Sequence, residues 1–141
     1  MAGDIVGDMS EPEFNDSVVA ANRWSKVIAL VVAVAVFLPA NVLTGDVQFA
    51  SIVAAMAAIG ARFYIPYHAS MNVPSAERTP LTAHPSTGNY HHGAAGIALM
   101  AASVVALGVF LVAHAFLTAV AVGVVFGIGS FVMLRSRLPA E

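Results

Sequence analysis

Residues 93–134, GAAGIALMAASVVALGVFLVAHAFLTAVAVGVVFGIGSFVML, run for 42 positions without a charged side chain. As one helix at 1.5 Å per residue the run would be roughly 63 Å long, twice the ~30 Å hydrocarbon core of a bilayer. It must therefore fold back once. The break is VAHAFLTA, residues 112–119, whose polar groups are His114 and Thr118. It divides the run into predicted spans at 94–113 and 117–134.

The first half of the chain reads the same way. Between Lys26 and Arg62 the only charged residue is Asp46. VIALVVAVAVFLPANVL predicts a span over 27–44, and VQFASIVAAMAAIGARFYI predicts a second over 47–66. Asn41, Gly45 and Asp46 supply turn chemistry between them, and Pro39 falls near the end of the first span, where a helix tolerates stopping. The expected fold class is all-α: an integral membrane protein of four transmembrane helices arranged as two hairpins. Composition supports lipid as the solvent. The chain is 59% hydrophobic and 10% charged, against about 25% charged residues in a soluble domain, and its mean hydropathy is +0.83. Helices apolar all round can lie in a large soluble core, but 141 residues leave no outer shell to cover four of them.

With four spans, Arg23, Lys26, Arg62, Arg78, Arg135 and Arg137 all fall on one side and Asp46 alone on the other. The positive-inside rule makes the common side cytoplasmic, or its equivalent in a virion interior. Both termini and an interior loop over 67–93 are then inside, with a short C-terminal tail at 135–141. Residues 1–26 form an acidic N-terminal tail with Asp4, Asp8, Glu11, Glu13 and Asp16. A secretory leader has a basic start instead. Within the tail, SVVAANRWS at 17–25 is expected to lie in the interface as a short amphipathic helix, with Trp24 at headgroup level.

Without a hydrophobic drive between helices in lipid, small residues decide where backbones approach. Ala119, Gly123 and Gly127 recur at every fourth position in the last span, Ala50, Ala54 and Ala58 in the second, and Ala98, Ala102 and Ala106 in the third. These residues are expected to pack helices together, either within one bundle or between copies of the chain.

The histidines are the candidates for chemistry. His91 and His92 follow Tyr90 at the mouth of the third span; His68 follows Phe63, Tyr64 and Tyr67 at the mouth of the second; His84 and His114 stand apart. His114 lies 22 residues after His92, roughly 33 Å along a helix, too far to share a metal. Neighbouring helical positions point about 100° apart, so His91 and His92 do not chelate together there. No HxH, HxxxH or HExxH spacing occurs. The favoured reading is an interface belt of amphipathic side chains, comprising Trp24, Arg62, Tyr64, Tyr67, His68, Tyr90, His91 and His92. A metal site and a proton-relay or quinone site stay open beside it. No nucleophilic triad, phosphate loop or carboxylate pair is present, there is no cysteine, and no ionisable residue sits at mid-membrane, where transport chemistry would need one. No catalytic residue, cofactor or metal is expected.

Low lysine, acidic soluble segments and Ala/Val-rich spans match a halophilic archaeal composition, and a GC-rich bacterium gives a similar bias. With four spans, an acidic N-terminal tail and both ends inside, the layout resembles the small internal membrane protein of haloarchaeal pleomorphic viruses. The resemblance implies a non-catalytic structural role in a virion envelope, with the interior loop and tails facing the genome. A net charge of −2 argues against direct nucleic-acid contact. Expected partners are the lipid bilayer and, laterally, further copies of the chain or other membrane proteins. Two alternatives stand beside this reading: an accessory subunit of a respiratory or transport complex of a halophile, and a small homo-oligomeric channel or holin-like protein.

Overall fold

A computed structural model of the chain describes residues 14–83 and 87–140. Four long helices account for most of it: α1 (Asp16–Thr44), α2 (Val47–Met71), α3 (His92–Ala113) and α4 (Phe116–Arg137), with one 3-10 turn at Leu81–Ala83 between α2 and α3. The chain is all-helical over the described residues, and each of the four helices is long and apolar enough to cross a membrane. The two hairpins have the expected connectivity.

Each hairpin closes in two residues. Gly45 takes a left-handed conformation at φ 66°, its N–H donates to the Asn41 carbonyl, and Asp46 then caps α2 by accepting from the Phe49 N–H at 2.9 Å. His114 does for α3 what Gly45 does for α1, at φ 51°, and its N–H donates to the Phe110 carbonyl at 2.8 Å. A non-glycine residue in this region is strained by roughly 1–2 kcal/mol. β-Branching makes the strain worse. His114→Val is therefore expected to lower stability by about 1 kcal/mol in thermal unfolding, while His114→Gly leaves it unchanged or higher. Removing the Asp46 cap with Asp46→Ala is expected to cost about 1 kcal/mol, measured the same way.

The helices differ in length from the predicted spans, by two residues or more only at the end away from these turns. α1 begins at Asp16, not at Val27. Residues 17–25, expected as a separate interfacial helix, are instead its first turns, because the Asn15 side chain caps the start by accepting from the Ser17 N–H. The remainder of the acidic tail, residues 1–13, lies outside the described residues. α2 continues to Met71 through Pro66. Proline there removes one backbone hydrogen bond, a loss that membrane helices absorb where neighbouring groups re-satisfy the carbonyl. The interior loop is correspondingly shorter than predicted and runs over 72–91. Arg78 fixes its start, donating to the Met71 and Val73 carbonyls at 3.1 and 2.9 Å, so the exposed carbonyls at the end of α2 have a cationic cap.

The helices form an open row. Each packs on its neighbour in sequence, α1 on α2, α2 on α3 and α3 on α4, with scarcely any contact between the flanking helices. In the most apolar stretches of α2 and α3, 50% and 33% of residues are buried within the protein, against 6% in α1 and 11% in α4. The exposed valines and leucines of α1 and α4 thus face lipid, which is as apolar as they are. Four side-chain hydroxyls in the helices turn inward on their own backbone. Ser25 donates to the Asn22 carbonyl, Thr44 to Ala40, Ser51 to Val47 and Ser103 to Met100, each at 2.7 Å. This local bonding suits a solvent that offers no partners.

Two apolar clusters hold the ends of the row. At the turn end, Phe49 is fully buried and stacks on Phe110 with ring centroids 4.3 Å apart, while Phe116 meets it edge-on at 6.0 Å. At the loop end, Val18, Tyr67, Val73 and Leu81 form the second cluster. Between them the contact is made by alanine and glycine.

Candidate functional site

The loop end of the row gathers nearly all the side chains capable of chemistry. The topology brings Arg23 and Lys26 on α1, Arg62 on α2, Arg78 in the loop and Arg135 and Arg137 on α4 to this end, and leaves Asp46 at the turn end. The last turns of α2 present Phe63, Tyr64, Tyr67 and His68 beside Tyr90, His91 and His92 at the start of α3. Two chains of rings result. Phe63 meets Tyr90 at 5.5 Å and His92 at 6.4 Å, and Tyr90 lies 4.3 Å from His92. In the second chain His68 stacks on Tyr64 at 5.7 Å, Tyr64 contacts Tyr67 at 6.2 Å, and Tyr67 contacts His91 at 5.3 Å.

The two mouths predicted separately from sequence are therefore one connected aromatic layer. It is only partly a surface. Trp24, Arg62 and His68 are exposed and Tyr64, Tyr90 and His91 half-buried, whereas Tyr67 and His92 are 4% and 5% exposed and packed inside the protein. Tyr67 reaches its depth because its ring lies across Gly93, where a Cβ would enter the ring itself. Its hydroxyl donates to the Pro139 carbonyl at 3.2 Å, tying the C-terminal tail to α2.

The adjacent histidines have divergent tasks. His91 caps α3, its Nδ1 accepting from the Ala94 N–H at 3.3 Å. That leaves the proton of the neutral ring on Nε2. His92 points its Nε2 at the Thr87 carbonyl, 2.7 Å away; a carbonyl only accepts, so His92 donates. One ring thus holds the helix start and the other holds the loop that leads into it. Among the described residues, no three histidine, cysteine, aspartate or glutamate side chains converge on a common point. His84 lies outside the described residues.

The predicted packing residues occupy a different place. Ala119 and Gly123 are buried on α4 and Gly127 is half-buried. A Cβ at Gly123 would sit 2.8 Å from the Ala106 Cβ and 3.1 Å from the Ala102 carbonyl oxygen, and one at Gly127 would sit 3.1 Å from the Ala102 Cβ. The small-residue stripe of α4 is thus seated on the Ala98/Ala102/Ala106 stripe of α3 in the same chain. That face is occupied and does not supply a free seam for a second copy.

A close backbone approach of α2 and α3 involves two residues that the stripes did not single out. A Cβ on Gly60 would lie 2.7 Å from the Gly96 carbonyl oxygen, and a Cβ on Gly96 would lie 2.7 Å from the Gly60 carbonyl oxygen. The two central helices touch main chain to main chain at this point. Spacing could have flagged the pair. Gly60 sits 13 residues after the start of α2 and Gly96 sits 17 before the end of α3, similar depths in two adjacent antiparallel helices.

Beside the aromatic layer, a half-open cleft of about 550 Å³ lies between the first turns of α1, the last turns of α2 and the loop. Lys26 and Arg62 both line it, together with His92 and Tyr90. Sequence placed both cations on one side of the membrane; the hairpin places them in one cleft.

Comparison of the chain with models of known protein families, with curated proteins and with solved structures finds no match.

Proposed function

We propose that this chain is a non-catalytic structural protein of a membrane, anchored by all four helices, with both termini and the loop end facing the interior compartment. One observation carries the reading. Four of the groups at the loop end that could do chemistry bind backbone instead: His91 caps α3, His92 holds Thr87, Arg78 caps α2 and Tyr67 fastens the tail at Pro139. Each such bond stabilises the fold and ties up an atom that a reaction would need free. The direct contact between Gly60 and Gly96 also supports a sealed centre over a passage through a single chain.

The finer reading is an internal envelope protein of a haloarchaeal pleomorphic virus, with the loop end beneath the enclosed lipid leaflet. Four lipid-embedded helices with two-residue turns suit that position, because nearly all the non-helical chain among the described residues lies at the loop end. The test is sedimentation of the tagged protein from its native host, with cell membranes and culture supernatant run on parallel density gradients. The expected result is enrichment in released enveloped particles. Retention in cell membranes, co-migrating with haem proteins or transporter subunits, would replace this reading with that of an accessory subunit.

A further inference from the structure

We propose that the cleft at the loop end is a binding site for the phosphate headgroup of an anionic phospholipid, held between Lys26 and Arg62. The inference requires only that the helices lie in a bilayer. Lys26 closes the charge-free run of α1 and Arg62 that of α2. Both cations therefore stand where hydrocarbon gives way to headgroups, and both side chains are exposed rather than folded into the protein. Among the described residues neither has an ion pair, and no carboxylate lines the cleft. Two cations lining one cleft, with no carboxylate beside them among the described residues, create a field that a mobile anion can satisfy.

The chemistry of the lining selects the kind of anion. Arginine meets phosphate oxygens with a planar fork and lysine as a point charge. Asn22 adds a neutral amide at the same rim, while Val18, Phe63, Pro66 and Leu81 offer apolar walls. A small inorganic anion would leave those walls wet. An amphiphile whose phosphate lies between the cations covers them. A cleft of about 550 Å³ is within the size range of small-molecule sites and holds a headgroup with its glycerol, and the open side lets acyl chains pass into the bilayer.

The experiment uses the full chain in detergent micelles, titrated separately with phosphatidylglycerol, phosphatidylcholine and inorganic phosphate. Retention of lipid is read by native mass spectrometry and melting temperature by circular dichroism. Each cation near an anionic headgroup contributes about fivefold in binding, so the pair predicts a preference for phosphatidylglycerol over phosphatidylcholine of about thirtyfold. The double variant Lys26→Gln/Arg62→Gln is expected to lose that preference while keeping its lipid-free melting temperature. The variant Arg135→Gln/Arg137→Gln, which removes two cations from the same end but outside the cleft, is expected to keep it. Equal binding of the two lipids overturns the proposal, as does a preference that survives Lys26→Gln/Arg62→Gln. An equal loss of preference in the Arg135/Arg137 variant assigns binding to overall charge, and a full response to inorganic phosphate assigns it to a soluble anion; either overturns the lipid site. Selectivity that emerges only after residues 2–13 are deleted would give the cleft to the chain's own acidic segment instead.

Discussion

Gly96→Ala is expected to loosen the centre of the protein, at a cost of about 3 kcal/mol, or roughly 10 °C in melting temperature for a chain of this size. The added Cβ would sit 2.7 Å from the Gly60 carbonyl oxygen, 2.8 Å from the Tyr64 nitrogen and 2.9 Å from the Tyr64 Cβ. Main-chain atoms and a Cβ cannot rotate out of the way, so α2 and α3 must separate. Gly60→Ala is expected to have a similar effect, since its new methyl would meet the Gly96 carbonyl and the Met100 nitrogen. Separation forfeits dispersion contacts along the whole seam, and in lipid little else joins the helices. The glycines order themselves by what a methyl group meets. Gly123→Ala is expected to do less harm than Gly96→Ala, and Gly127→Ala less again. Gly108→Ala and Gly129→Ala, with nothing within 4 Å, are expected to leave the melting temperature unchanged or higher. Thermal unfolding of the series by circular dichroism in one detergent checks the order. A Gly96→Ala protein as stable as Gly108→Ala would mean that the two backbones are not in contact.

Phe49→Ala is expected to be the most damaging substitution at the turn end, at about 2 kcal/mol. Large-to-small changes at buried aromatic positions cost about 3–5 kcal/mol in water-soluble proteins, from lost transfer energy plus a cavity. Here the transfer part shrinks, because the separated helices still keep the ring in hydrocarbon. The cavity part remains. Phe49 is fully buried and supports both Phe110 and Phe116, so its loss unseats rings on α3 and on α4. Phe49→Leu, which fills part of the space, is expected to recover about half the loss. Protease resistance of the α3–α4 turn at His114 provides a second readout, since Phe110 and Phe116 flank that turn. A Phe49→Ala protein with unchanged melting and an uncut turn would remove the ring stack from the account of stability.

The architecture was legible because lipid imposes few rules and imposes them strongly. Uncharged length forced the fold-back at His114, and the placement of six cations against Asp46 matched the hairpin count. Helix ends at the loop side were not legible. The second span is expected to end at Pro66, yet α2 passes through it, and residues 17–25 read as a separate interfacial helix, yet they are the first turns of α1. In both cases helical geometry extends past the apolar pattern, because backbone bonding persists into the headgroup region. The stripes on α2, α3 and α4 were visible from spacing, but their pairing was not: fourfold periodicity states that a face is small and does not say which helix fills it. Likewise Tyr67, His91 and His92 were visible as a group, while the bonds to Pro139, Ala94 and Thr87 that give each a separate task depend on tertiary placement.

The two-residue turns also bear on how the protein enters a membrane. A helical hairpin inserted as a unit must carry its connecting segment across the hydrocarbon, and the barrier rises with every charged or hydrated group carried. Here the passengers are Gly45 with Asp46, and His114 with Ala115. With the turns leading, one formal charge would cross for four spans. Threading the chain in the opposite sense would drag six cations through the same barrier, each costing about 2.5–3.5 kcal/mol at the bilayer centre on an insertion scale. The brevity of these turns therefore makes one direction of insertion energetically cheap and the reverse prohibitive.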